Sequence, residues 1–294
     1  MVNLKRCAAL GCVLLLCAAA GCGKAKPSTT ARATEESATQ TAYATKNPGT
    51  IFVPPLPSTT ARANVPAVAT GGTQPVLVRI VIPEGFGFYQ VAQRLEANQV
   101  CTAQAFYNAA QSYQVQSFEV PAPAQAAYRM EGFLFPDTYE FYQNDDPVAV
   151  LRKILNNYAA KSGLPDYNTL VLASIIEKET RSSQHMAMVS SVFHNRLSQG
   201  MRLQADATIR YAEQQLKPSA LLQNTAQYAA RYNTYKCDAL PVGPICNPGT
   251  RALQAAQAPS RSDYLYYFFG GDSTNHYSRT YEDHQAAMAE YGLG

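Results

Sequence analysis

Tryptophan is absent from the 294-residue chain, and only 15% of its residues are charged. With 47% apolar residues, so low a charge density excludes a chain held open by self-repulsion, and most of it should fold. No apolar run reaches the ~20 residues needed to cross a bilayer. The mean hydropathy of -0.21 likewise excludes a polytopic membrane protein. The four histidines, His185, His194, His276 and His284, are scattered, and no His/Cys/Asp group has metal-ligand spacing. A basic excess is missing where a nucleic acid would need it. Residues 1–74 hold seven Lys/Arg against two Glu, which leaves 17 basic and 19 acidic residues for 75–294. The formal charge of +3 therefore belongs to the N-terminal part, and nucleic acid is excluded as a partner.

Lys5 and Arg6 precede a run, Cys7 to Ala20, made only of Cys, Ala, Leu, Gly and Val. Its 14 residues suit the apolar centre of a signal peptide, and the small residues Ala19, Ala20 and Gly21 stand directly before Cys22. Ala-Ala-Gly-Cys resembles the lipobox of a bacterial lipoprotein, in which Cys22 would be lipidated and become the first residue. An uncleaved anchor or ordinary secretion is the alternative. Each reading puts the remainder outside the cytoplasm, and the lipobox reading puts it on the outer face of the cell membrane.

Four of the seven cysteines lie in this signal region, leaving Cys101, Cys237 and Cys246. Cys237 and Cys246 bracket a turn-rich segment that a disulfide could close in an oxidising compartment. Two reduced thiols are the equal alternative. Zinc is the weaker reading, since no histidine stands near them. Residues 23–75 are rich in Ala, Thr, Ser and Pro and repeat Pro-Ser-Thr-Thr-Ala-Arg-Ala at 27–33 and 57–63. Such a linker spans on the order of 40 Å as a flexible coil.

Regular structure is predicted from Val76. Val76, Val78, Ile80 and Ile82 alternate with Leu77, Arg79 and Val81, a mostly buried strand that Pro83-Glu84-Gly85 ends. A helix with Tyr89, Ala92 and Leu95 on one face follows. Asn98-Gln99 breaks it, and Thr102 can cap a second helix. Residues 131–139, Glu-Gly-Phe-Leu-Phe-Pro-Asp-Thr-Tyr, form an extended stretch suited to lining a groove or filling a core. The next helix, carrying Leu170 to Ile176, is apolar on nearly every side and therefore buried. It ends in Glu177-Lys178-Glu179-Thr180. At about 100° per residue, Glu177 falls beside Leu170 and Ala173, while Glu179 lies roughly 200° away beside Leu172 and Ile175. Only one of them can face a given cleft. Desolvation at the end of a buried helix raises a carboxyl's pKa and suits it to donate a proton. Beyond an amphipathic helix with Met186, Val189, Val192, Phe193 and Leu197, stopped at Gly200, the loops are rich in amide, hydroxyl and aromatic groups. Sugar hydroxyls and ring faces call for such groups, and 19 tyrosines can supply the stacking faces that tryptophan does not.

Seven segments then occur in a recognisable order: residues 131–139, Ala173 to Glu179, Val192 to Leu197, Gly200 to Gln204, Tyr232 to Tyr235, Leu240 to Gly249, and Tyr264 to Tyr266. Over about 76–291 the chain resembles the endolytic murein transglycosylase (YceG-like) family. The resemblance implies an α+β fold, with a small LysM-like βαα subdomain at 76–128 packed on a mixed α+β catalytic domain at 129–294. It implies a lyase that cuts peptidoglycan glycan strands without metal or cofactor, ends nascent strands, and works beside cell-wall synthases. Glu177 is the catalytic residue so implied, with Glu131, Asn195, Gln204, Asp206, Asn233 and Tyr235 as substrate-binding residues. Ala207, Ala239, Val242 and residues 272–275 depart from the family's usual residues. A glycan-binding lipoprotein without catalysis, and a muramidase pairing Glu177 with Asp206 or Glu131, are the alternative readings.

Overall fold

The computed structural model of the protein describes residues 74–122 and 125–293. The signal segment, Cys22 and the linker up to residue 73 lie outside the described residues.

Strand β1 (Leu77–Ile82) pairs antiparallel with β2 (Asp137–Tyr142), in register from Leu77 opposite Tyr142 to Ile82 opposite Asp137. Ile80, Ile82, Tyr139 and Phe141 are buried, whereas Leu77 and Val81 stay about half exposed. β1 is thus wet on one face rather than mostly buried, because a two-stranded sheet with helices on one side has only one apolar face to cover. Helix α1 (Phe88–Ala97) packs on that face through Phe88, Val91, Ala92 and Leu95 and ends at Asn98. Gln99 follows in the left-handed region at φ 59°. Helix α2 (Ala103–Ser112) begins where expected, Thr102 Oγ1 accepting from Ala105 N at 3.1 Å. The order is β-α-α-β, and the closing strand comes from beyond the 128/129 boundary.

Helix α3 (Pro147–Lys161) starts with Asp146 as cap and Pro147 in the first turn, whose fixed φ suits that position. Helix α4 (Tyr167–Glu179), capped by Asp166, buries every residue from Leu170 to Ile176. At roughly 1.5–3 kcal/mol per large buried side chain, this helix is the apolar centre of the fold. Helix α5 (Ser183–Ser198) packs against it. The short α6 (Asp206–Tyr211) runs into a π-helical turn at Ala212–Leu216, and α7 (Thr225–Tyr232) follows. Helix α8 (Thr250–Gln257) lies against both α4 and α5. A hairpin of β3 (Tyr266–Phe269) and β4 (Asn275–Ser278), then α9 (Tyr281–Glu290), complete a mixed α+β architecture.

One continuous apolar core joins the βααβ unit to the helices. The loop at 240–249 ties them together. Asn247 accepts from Leu134 N at 2.8 Å and donates to Phe86 O at 2.7 Å, while Ile245 N donates to Ser174 Oγ at 3.0 Å. This loop is buried from Gly243 to Gly249 and braces the fold; sugar hydroxyls cannot reach it. Gly132, at φ +88°, makes the close approach possible, since a Cβ there would meet Pro244 Cγ at 2.7 Å.

Candidate active site

Helix α4 delivers Glu177 and Glu179 at its C-terminal end, where the helix dipole and burial both disfavour a carboxylate. Their hydrogen-bonding surroundings differ, as their phase on the helix requires, yet both line one cavity, so the expectation that only one of them can face a given cleft does not hold. Glu177 Oε2 accepts from Gly249 N at 3.0 Å. Burial pushes its pKa up to about 7, with Glu84 adding to the rise and the Gly249 N–H opposing it. Glu179 points toward the start of α6 and toward β3. Burial raises its pKa as well, against the Tyr267 hydroxyl, the Arg210 charge and the Ala207 N–H, while Asp206 adds to the rise. Its Oε1 is buried without a hydrogen-bond partner. Burial thus biases both carboxyls toward the protonated form, and the direction of the shift does not choose between them.

Geometry does. A cavity of about 510 Å³ is lined by Glu84, Glu177, Glu179, His185, Phe269 and Ser273. A second, of about 450 Å³, is lined by Glu179, Gln204, Asp206, Arg210, Tyr235 and Phe269, with Tyr266, Tyr281 and His284 on its far wall. Glu179 and Phe269 belong to both, so the cavities adjoin as two arms of one groove that meet at Glu179. Glu177 reaches only the first arm. A larger cavity, about 760 Å³, lies elsewhere, between β2 and α3. Its carboxyls are held by cations: Lys161 pairs with Asp137 and keeps its pKa low, and Arg79 pairs with Glu140. That recess lacks a group prepared to move a proton.

Of the residues expected to bind substrate, Gln204, Asp206 and Tyr235 stand together in the second arm, with Glu179 and not with Glu177. Tyr235 donates to Asp206 Oδ1 at 2.5 Å, and Arg196 donates to Gln204 Oε1. Arg196, almost wholly buried, also donates to Arg202 O and Leu265 O and so fixes the loop that carries Gln204. The other three do not line the groove. Glu131 is sealed in the core, accepting from Phe88 N and from the Tyr211 hydroxyl, each at 2.8 Å. Asn195 donates to Ser262 O and Tyr264 O and anchors the approach to β3. Asn233 Oδ1 accepts from Tyr235 N at 3.0 Å, a turn contact that positions Tyr235. Each spends a hydrogen bond on the fold, and none of the three lines either cavity.

Cys237 and Cys246 are unlinked. The Cys246 thiol is buried against Ser174 O at 3.2 Å, and the Cys237 thiol turns to Arg231 O at 3.5 Å. The loop between them is closed by its contacts to α4 and needs no bridge. Sequence reasoning missed Arg210, Tyr267 and Phe269. The aromatic run that ends at Phe269, stopped by Gly270-Gly271, was the available sign of a hairpin strand beside the site.

A profile of the YceG-like family matches residues 39–290. The chain is 30% identical over 258 residues to the endolytic murein transglycosylase of Streptococcus pneumoniae serotype 2 (strain D39 / NCTC 7466), covering 75% of this chain and 46% of that protein. It is 33% identical over 173 residues to the endolytic murein transglycosylase of Bacillus subtilis (strain 168), covering 55% and 48%. The chain thus spans about half the length of the curated relatives it matches. A crystal structure of a yceG-like protein from Listeria monocytogenes aligns with a TM-score of 0.56 and 28% identity, over 72% of this chain and 75% of that one. On these matches, the chain belongs to the YceG-like family.

Proposed function

We propose that the protein is an endolytic peptidoglycan lytic transglycosylase, and that its general acid and base is Glu179 rather than Glu177. One observation carries the choice: Glu179 is the carboxyl that lines both arms of the groove, whereas Glu177 lines one. A groove with an arm on each side of the acid suits cleavage within a strand. Protonated Glu179 donates to the glycosidic oxygen as the bond from muramic-acid C1 breaks. The 6-hydroxyl of the same sugar attacks C1, and the Glu179 carboxylate takes the hydroxyl proton. The new end is a 1,6-anhydro ring, no water is consumed, and one carboxyl serves both steps where an ordinary glycosidase needs two.

Asp206, in the same arm as Glu179, supports a second reading in which it activates water and the product is hydrolysed. Its Oδ1 is already engaged by Tyr235, which favours the first. Glu179→Gln should lower turnover about 10²–10⁴-fold. Glu177→Gln, whose amide oxygen still accepts from Gly249 N, should stay within roughly fivefold of wild type. Product mass accompanies the rates, the anhydro end being lighter than the hydrolysed end by one water. Equal loss in two folded variants would remove the assignment of Glu179, and a hydrolysed end would move the protein to the muramidases.

The βααβ order of 77–142 supports a LysM-like reading of that unit. Beyond the described residues, Cys22 is the lipidated first residue of the mature protein, holding it at the outer face of the cell membrane. There it would cut strands as synthases extend them. Intact-mass analysis should find a diacylated Cys22; cleavage elsewhere without lipid contradicts the anchor.

A further inference from the structure

Beside the groove, between the βααβ unit and α6, lies a smaller cavity of about 140 Å³. That is room for about five waters, or for one residue of a peptide. It shares Gly85 and Lys178 with one arm of the groove and Arg210 with the other, so it branches off close to Glu179. Lys178 and Arg210 bring two positive charges, Gln90, Gln214 and Gln215 bring amides, and no Asp or Glu side chain lines it. Lys178 Nζ donates to Gly85 O at 3.2 Å and keeps two further hydrogens. Arg210 enters no ion pair among the described residues. Gln215 Oε1 is buried with no donor facing it. Glycine keeps the space open, since a Cβ on Gly87 would stand 3.3 Å from that same oxygen.

We propose that this cavity is a subsite for the peptide stem that a muramic residue carries. A stem carboxylate sits between Lys178 and Arg210, and a stem amide N–H donates to Gln215 Oε1. The assignment rests on the reading of the groove as a glycan cleft and adds the substrate class to it: strands bearing stems, not bare glycan. The stem leaves the sugar through its lactyl ether, so a stem held here fixes which sugar lies against Glu179 and thereby which bond is cut.

The test uses the full chain with stem-bearing strands and with the same strands stripped by an amidase. Wild type should show a KM about tenfold lower on stem-bearing strands, as one charge-assisted contact implies. Gln215→Leu should raise that KM about tenfold while leaving turnover of stripped strands and the melting temperature unchanged, and Lys178→Gln, whose side chain also lines one arm of the groove, should raise KM more on stem-bearing than on stripped strands. No preference in wild type, or the same change on both substrates, or no change in either variant, overturns the subsite. Glu179→Gln is assayed on both substrates alongside. Its inactivity on both leaves the reading of the groove standing even if the stem preference is absent.

Discussion

Glu131 is a carboxyl without access to solvent, and its environment dictates a pH dependence of stability that one substitution should erase. Burial lifts its pKa from an ordinary 4.5 to about 8, against the Tyr211 hydroxyl, the N–H groups of Phe88 and Gly132, and the Lys178 charge. The folded state therefore holds a proton that the unfolded chain releases near pH 4.5, and folding weakens as pH rises from there to about 8, beyond which the slope vanishes. At ~1.4 kcal/mol for each tenfold in proton affinity, the full loss is on the order of 5 kcal/mol. Glu131→Gln is built like the protonated acid. Its oxygen accepts from Phe88 N and its amide donates to the Tyr211 hydroxyl, so it should match wild type within about 1 kcal/mol at pH 5. At pH 8.5 it should be the more stable protein by several kcal/mol. Urea unfolding of both from pH 5 to 8.5 checks this. Glu177 and Glu179, also shifted upward, contribute to both curves alike, so the difference isolates Glu131. Parallel curves would refute the reasoning.

Two further outcomes follow from the packing. Gly132→Ala adds ~1–2 kcal/mol of left-handed strain to a clash with Pro244 worth ~1–3 kcal/mol, so its urea midpoint should fall sharply, whereas Gly200→Ala, at φ +67° with open space around its Cβ, should show the strain alone. Deleting residues 76–112 should unfold the protein, because it removes β2's partner and the N–H that Glu131 accepts; a folded, active deletion product by circular dichroism and turnover would contradict the shared core.

Local signals sufficed for the elements whose cause is local. The Asn98-Gln99 break, the Thr102 cap and the apolar circumference of α4 depend on residues within a few positions of each other, and they stand where the pattern put them. The half-turn between Glu177 and Glu179 was equally legible, since helix geometry alone sets it. Which of the two lines both arms of the groove was not. That depends on where α6 and the β3 hairpin arrive, after chain excursions of about thirty and ninety residues whose course no short-range pattern encodes. For the same reason Glu131, Asn195 and the loop at 240–249, polar and aromatic in sequence, could be read as groove lining. A polar side chain serves a ligand or the fold according to whether its hydrogen bonds are already taken, and here Phe88 N, Ser262 O and Leu134 N take them. Composition and periodicity determined the folded part, the helices and the pair of candidate acids. Tertiary structure decided which acid lines both cavities, because burial and partner choice are properties of the whole packed chain.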